Sequence, residues 1–445
     1  MINSSTKFIY LDYKLVTMNP GEKTEDWDFA NADIHYMTHG LHPYPARMIP
    51  QIARRLIELY SSSRSIVLDP FCGSGGVLVE AILTNRDSFG IDINPLACLI
   101  ARVKTTPLNP KILIQEWKRL ESNIGEELRA LRFREIDIET PDFSGTNLHY
   151  WFKPYMIKEL ALIKKHLDAV EDNKVREFFY VCFSNTVRSV SGVRKGEFKL
   201  YRMPKEEWEK YHPDVFGVFQ KKVNECISKM GEFFEFVEKN KLNAKAEIFE
   251  ANTAMLFTEE FPKEGREKLT EESVNLIVTS PPYGDSRTTV AYGEFSSLSL
   301  LWLGYPQEKV REIDKISLGG RLKDEDVDSR TLDEVLAKIR DEKRAKEVKS
   351  YFVELNEVIQ KLYKVLKPNG YACFVLGNRT VNGVKIPTDE ILKEIGKSAG
   401  LEHVRTMFRR IPSKRLPWKN SPTNIPGQKM ETINKESIIV LQKIR

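Results

Sequence analysis

Cysteine is scarce in this chain: Cys72, Cys98, Cys182, Cys226 and Cys373 are the five it has, and no two form a CxxC pair. That scatter offers neither the ligand spacing of a zinc site nor a disulfide framework, so the thiols read as reduced and intracellular, and no metal is expected. No apolar run is long enough to span a bilayer, and the first residues, Met1 to Lys7, are polar and unlike a secretory leader. The expectation is a cytoplasmic protein without a membrane partner. Internal repeats and low-complexity tracts are also missing. So is a strong charge of either sign: 68 Lys and Arg against 63 Asp and Glu leave a net charge of +5. That balance is compatible with a polyanion partner but does not require one.

What the chain does have is length and apolar patterning. Its 445 residues, 41% hydrophobic and 29% charged, are ordinary for a soluble globular protein and leave room for about two or three domains. Ser65–Asp69 reads as a buried strand, followed by the turn Gly73-Ser74-Gly75-Gly76, a helix through Leu83, and a second strand, Ser88–Asp92, that ends in an acid. Strand, glycine loop, helix, strand and acid open a parallel α/β sheet that binds an adenosine-containing cofactor. From Pro107 to about Lys241 the pattern turns helical and rich in charge, and strands resume at Ala246–Phe249 and Val274–Val278. A helix over Tyr351–Leu366 is expected to stop at Lys367-Pro368-Asn369-Gly370, ahead of a central strand Tyr371–Leu376. After a helix over Thr388–Ala399, Leu401–Arg405 and Ser437–Gln442 are expected to close the sheet as an antiparallel hairpin. The predicted organisation is an N-terminal arm (1–33), a first sheet segment (34–106), a helical insertion (107–244) and a second sheet segment (245–445) that carries a charged, solvated insertion (307–349).

The most informative stretch is Thr279-Ser280-Pro281-Pro282-Tyr283-Gly284, at the end of the Val274–Val278 strand. Its prolines fix φ and supply no N–H, so the turn presents carbonyl oxygens and the Ser280 hydroxyl as acceptors. Tyr283 adds an aromatic face on which a planar base can stack. Together these suit an exocyclic amine on a nucleobase. Such an amine is a poor nucleophile because its lone pair is delocalised, and acceptors aimed at its hydrogens localise that pair. Far upstream lies the partner motif, Asp69-Pro70-Phe71-Cys72-Gly73-Ser74-Gly75-Gly76, whose glycines allow close approach to a ligand. The spacing is not GxGxxG, which disfavours a nicotinamide dinucleotide.

Both motifs, in this order, resemble the amino-methylating DNA methyltransferases, and the Ser-Pro-Pro-Tyr form resembles their cytosine-N4 branch. The resemblance covers roughly Ile34–Lys104 and Ala246–Gln442. It implies an α/β Rossmann-like S-adenosylmethionine-dependent methyltransferase sheet with a terminal antiparallel hairpin, interrupted by a mainly helical insertion. It also implies S-adenosylmethionine as cofactor and flipped double-stranded DNA as substrate. Ser280, Pro281, Pro282 and Tyr283 would then be the catalytic loop. Cofactor contacts would come from Pro45 and Arg47 of the upstream His42–Pro50 segment, from Asp69, Pro70, Phe71, Cys72, Gly73, Ser74 and Gly75, and from Ser280. Asp92, 92 − 69 = 23 residues after Asp69, would bridge the ribose hydroxyls, with Ile93 beside it. Asn252 would contact the adenine, where an acid is more usual in the family. Carbon-5 methylation needs a cysteine nucleophile, and none lies near Ser280.

Two basic runs are candidates for phosphate contact: Arg188, Arg194 and Lys195 in the first, and Arg409, Arg410, Lys414 and Arg415 in the expected hairpin loop. Three readings stay open. The first is a sequence-specific cytosine-N4 enzyme, with a cognate restriction endonuclease as partner. The second is an enzyme acting on adenine-N6 in DNA or on guanine-N2 in tRNA. The third is a non-catalytic nucleic-acid-binding module.

Overall fold

The computed structural model describes residues 26–133, 135–143, 146–284, 289–411, 419–420, 430–431 and 433–444. Its centre is a seven-stranded sheet formed by β1 (Ile66–Asp69), β2 (Asp87–Asp92), β3 (Ala246–Glu250), β4 (Val274–Thr279), β5 (Leu366–Leu376), β6 (Leu401–Arg410) and β7 (Lys435–Lys443). The spatial order is β3-β2-β1-β4-β5-β7-β6. The first five strands pair in parallel, and β7 runs antiparallel to both β5 and β6. The expected fold class is therefore present, terminal hairpin included. Parallel central strands are covered on both faces, and accordingly β1 and β4 read as continuous apolar runs, Ile-Val-Leu and Leu-Ile-Val, that are almost wholly buried. Edge strand β6 is the reverse. Five of its ten residues, Glu402, His403, Val404, Phe408 and Arg410, are exposed, and its charged side chains suit a sheet edge that is not to be extended.

Helices at Pro50–Tyr60, Gly76–Leu83 and Pro95–Thr105 cover the first half of the sheet. The stretch between β2 and β3 is helical as expected, with long helices at Pro110–Arg132, Pro154–Asp168, Asn173–Val190 and Val215–Lys239. Side-chain caps start two of them cleanly: Asn109, ahead of Pro110, accepts from Lys111 N, and Asp172 accepts from Lys174 N and Val175 N. These helices share one apolar core with the sheet-covering helices. Val79, Leu96 and Val103 belong to the same cluster as Trp117, Phe179, Phe183 and Phe219.

Two expectations need correction. The crossover helix before β5 starts at Glu342, not Tyr351, because Asp341 caps it through Arg344 N; its first two turns are charged but helical. It ends at Val365, and Lys367-Pro368-Asn369-Gly370 lies inside β5 as an irregularity: Val274 pairs with Leu366, but Leu276 pairs with Tyr371. Pro368 lacks an N–H for the ladder and Asn369 adopts φ +61°, so the four residues loop out and the strand resumes. The charged insertion is also not simply solvated. Val310, Ile313, Leu332 and Val335 bury apolar faces, while Arg321, Lys323 and Arg344 reach the central cleft.

Because the insertion shares a core with the helices that cover the sheet, the two are expected to unfold together. Phe219→Ala removes a fully buried ring from the insertion and should cost about 3–5 kcal/mol. It should lower the single melting transition of the whole chain, in calorimetry, rather than split off a separate one.

Candidate functional site

Strand β1 pairs with β2 on one side and β4 on the other, which places the point where the strand order reverses at its carboxyl end. In open α/β sheets a ligand crevice forms there. Both motifs singled out in the sequence end at this point. The β1–β4 register, Val67 with Leu276 and Leu68 with Ile277, brings Asp69 and Thr279 side by side, and the Thr279 hydroxyl donates to Asp69 Oδ1 at 2.7 Å. A cleft of about 2270 Å³ opens above them, lined by Asp69 to Ser74, Asp92, Ile93, Asn252 and Ser280 to Tyr283.

The glycine loop turns because its backbone must. Gly75 has φ +78°, and a Cβ there would sit 2.9 Å from Ala101 Cα. Gly73, at φ +48°, has the Tyr44 ring above it, 3.4 Å from where a Cβ would project. Asp92 holds the loop: its Oδ2 accepts from Gly73 N at 2.9 Å and its Oδ1 from Asn94 N at 2.8 Å. Cys72 is buried and donates its backbone N–H to Ile91 O, and the Pro70 carbonyl accepts from the Thr253 hydroxyl. Burial pushes the Asp69 carboxyl up to about 7 against the opposing hydrogen bonds from Thr279 and Phe71 N. Burial likewise raises Asp92 to about 6, again against backbone donors. Asn252 caps a short 3-10 turn by accepting from Ala254 N, and it also lines the cleft. Phe71 and Ile93 are half-buried, with one part in the core and one in the cleft wall.

The upstream segment lies against this loop. Pro45 and Arg47 line the cleft, and Arg47 Nη1 is tied to His39 O at 2.8 Å. Residues missed in the sequence stand beside them. Tyr44 stacks on Tyr292 with centroids 5.9 Å apart and accepts from Asn94 Nδ2 at 3.1 Å. Lys104 is 1% exposed, lines the cleft and donates to Ser74 Oγ at 3.2 Å. Burial and the Arg47 charge hold its ammonium well below the usual lysine value. Its only local signal is position: it falls in the last turn of a mostly apolar helix, Pro95–Thr105, where a lysine normally faces water.

On the other side, Pro281 is buried while Ser280, Pro282 and Tyr283 are half-buried. The Pro282 carbonyl accepts from the Tyr351 hydroxyl at 2.6 Å. Tyr283 lies back on Gly377, where a Cβ would come within 3.2 Å of its ring. Ser280 Oγ donates to the Tyr283 hydroxyl at 3.3 Å, and that hydroxyl donates to Glu436 Oε1 at 2.8 Å.

The basic runs fare differently. Arg188 is not a free phosphate contact: it lies 4.1 Å from the Phe295 ring centroid and donates to the carbonyls of Phe295, Glu197 and Phe198. Arg409 is corrected likewise, being 6% exposed and ion-paired with Glu436 at 2.8 Å. Lys195 is exposed but bonded to the Tyr211 hydroxyl at 2.9 Å, whereas Arg194 and Arg410 present exposed side chains. Lys414 and Arg415 lie outside the described residues.

Comparison with known proteins agrees with this geometry. A family model described as DNA methylase matches residues 9–103 and 274–407, the two segments that contribute the glycine loop and the Ser-Pro-Pro-Tyr turn. The chain is 37% identical to the Type II methyltransferase M.MvaI of Kocuria varians across 93% of each chain. It is 23% identical to the Type II methyltransferase M.MjaII of Methanocaldococcus jannaschii, over 58% of this chain and 62% of that one. A tRNA (guanine(10)-N2)-dimethyltransferase of the same organism is 30% identical over 31% of this chain and 38% of its own length. With two matched segments joined by the Thr279–Asp69 hydrogen bond, and a relative of that similarity along nearly its whole length, the chain belongs to the DNA methylase family.

Proposed function

We propose that this protein methylates the exocyclic N4 of a cytosine flipped out of duplex DNA at a specific sequence, as the modification half of a Type II restriction-modification pair in the cytoplasm. The observation that carries this reading is the Ser280-Pro281-Pro282-Tyr283 turn facing the glycine loop across one cleft. S-adenosylmethionine, when bound, supplies an electrophilic methyl group.

The residues present fit that cofactor. Asp92 has both carboxylate oxygens on backbone donors, and its remaining lone pairs suit ribose hydroxyls. Phe71 and Ile93 offer apolar surface for a purine, and the Asn252 amide suits its edge. Lys104 is a buried lysine beside the loop, with Ser74 Oγ as its hydrogen-bond partner. A group so placed matches a carboxylate such as the one at the methionine end, which would offset the cost of burying its charge. Arg47 stands near enough to add to that field.

Ser280 and the turn carbonyls accept from the two hydrogens of the target amine and draw its lone pair out of conjugation. Tyr283 stacks on the base, and the Pro282 carbonyl stays fixed by Tyr351. Positioning contributes most of the rate, and no covalent intermediate with the protein is needed. Flipping costs a few kcal/mol, offset by stacking and hydrogen bonds in the pocket. The helical segment 107–244 is the candidate reader of sequence, with exposed Arg194 and Arg410 as phosphate contacts. Adenine-N6 fits the same acceptors, and the reading of a cognate endonuclease rests only on the names of the Type II relatives. A tRNA substrate is the weaker reading, because the likeness to the tRNA enzyme covers 31% of the chain and the likeness to the Type II enzyme 93%.

The deciding experiment incubates the protein with S-adenosylmethionine and either unmethylated genomic DNA or tRNA, then identifies methylated nucleosides by mass spectrometry. N4-methylcytosine from DNA is the expected product, and Ser280→Ala should lower the rate by about 10²-fold or more. N6-methyladenine would reverse the base assignment, and product on tRNA alone would overturn the DNA reading. Lys104→Met should weaken S-adenosylmethionine binding by roughly 10-fold or more in calorimetry, because a charge-assisted contact is lost, with little effect on DNA binding.

A pH dependence follows from the two raised carboxyls. Their folded values, about 7 for Asp69 and about 6 for Asp92, exceed ordinary carboxyl values. Protonation therefore favours the folded cofactor-free protein in mild acid, a contribution lost as pH rises through those values. Cofactor affinity should move the opposite way, falling by up to about 10-fold per pH unit below about pH 6 as the acceptors are lost. Asp92→Asn should weaken binding at neutral pH and flatten that slope.

A further inference from the structure

The chemistry proposed for the Ser-Pro-Pro-Tyr turn depends on a direction: a serine hydroxyl can donate as well as accept, and only accepting helps an amine lose a proton. What bears on that direction lies on the last strand of the sheet, outside either sequence motif. Glu436, on β7, is half-buried beneath Tyr283, and its two oxygens face different partners. Oε1 accepts from the Tyr283 hydroxyl at 2.8 Å, and Oε2 accepts from Arg409 Nη1, on β6, at 2.8 Å. The pairing of Glu436 with Arg409 is also written into the β6–β7 register, where the two residues stand opposite each other. Arg409 is 6% exposed, so this is an ion pair held inside the sheet's end and not a surface contact.

An ion-paired carboxylate only accepts. The Tyr283 hydroxyl therefore spends its single hydrogen on Glu436, and its oxygen can take part in a second hydrogen bond only as an acceptor. The neighbour in reach is the Ser280 hydroxyl, 3.3 Å away, which then donates to Tyr283 and turns its lone pairs outward to the cleft. Burial and the Glu436 charge together hold the Tyr283 hydroxyl well above its usual value, so the phenol keeps its proton throughout.

We infer that Glu436, held by Arg409, is a positioning residue that sets the direction of the Glu436–Tyr283–Ser280 hydrogen-bond chain and so makes Ser280 an acceptor toward the target amine. The chain also fixes the Tyr283 ring against Gly377 for stacking. It links the terminal hairpin to the catalytic turn through side chains alone. This inference rests on the amino-methyltransferase reading above, whichever of the two bases is the target.

The discriminating variant is Glu436→Gln. It preserves shape but offers an amide NH₂ that can donate to the Tyr283 oxygen. That reverses the chain, so that Tyr283 donates to Ser280 and Ser280 points its hydrogen at the amine. The expected result is a fall in kcat of tenfold or more, with KM for DNA and the calorimetric Kd for S-adenosylmethionine each within twofold of the unchanged protein. Tyr283→Phe removes the intermediate hydroxyl, so adding Glu436→Gln to Tyr283→Phe should lower kcat by less than twofold further. Equal kcat for Glu436→Gln and the unchanged protein would overturn the inference. So would a loss of the same size in the Tyr283→Phe background, since that marks Glu436 as a mere structural support. Should Glu436→Gln fail to fold, by its melting transition, Arg409→Lys retains a positive partner and is expected to keep kcat within threefold, with Arg409→Met losing tenfold or more; equal rates for these two overturn the proposal. Failure of the underlying reading is separate: the unchanged protein would then methylate no amino group in DNA at all.

Discussion

The hydrogen bond from Thr279 to Asp69 is the contact on which the rest of the site depends. It closes the carboxyl ends of two adjacent parallel strands whose sequences lie 279 − 69 = 210 residues apart. One strand delivers the glycine loop and the other the Ser-Pro-Pro-Tyr turn. Parallel neighbours require a long crossover, and this chain uses the space for its helical segment and for β3 before returning to β4. The cleft is thus a consequence of strand order: at the reversal point the flanking crossovers leave to opposite sides and the loops part.

Around that point the chain collects groups that ordinary folding would avoid. Two carboxyls and a lysine, Asp69, Asp92 and Lys104, are withdrawn from water within one wall. Burying such groups opposes their charged forms, and the cost is balanced only in part by the backbone N–H groups and hydroxyls that meet them. A site with unspent capacity of both signs suits a ligand that carries both, as a zwitterionic amino-acid end joined to a nucleoside does.

The terminal hairpin has a second role besides closing the sheet. Its two strands carry Arg409 and Glu436 opposite each other, and the pair reaches beneath the Ser-Pro-Pro-Tyr turn to Tyr283. A basic residue read as a phosphate contact thereby becomes part of the interior. Arg188 follows the same path, held on the Phe295 ring and three carbonyls. In both cases a neighbour far away in the chain claims the guanidinium, which no local window of sequence can reveal.

By itself the sequence determined the strand–loop–helix–strand opening, the turn chemistry of Ser280 to Tyr283, the helical character of the long insertion and the antiparallel close. Each of these is a local property, set by apolar periodicity, by glycine at positive φ and by proline's fixed backbone. Tertiary structure decided which charges face the cleft. Lys104 ended up buried on Ser74, Tyr44 covers Gly73, and Glu436 lies under Tyr283. It also decided that Lys367 to Gly370, just past the helix end at Val365, loops out of a strand, because β4 pairs on both sides of it. The physical reason is the same throughout: backbone preference acts between near neighbours, whereas the partner of a buried polar group is whatever the packing of distant segments brings within about 3 Å.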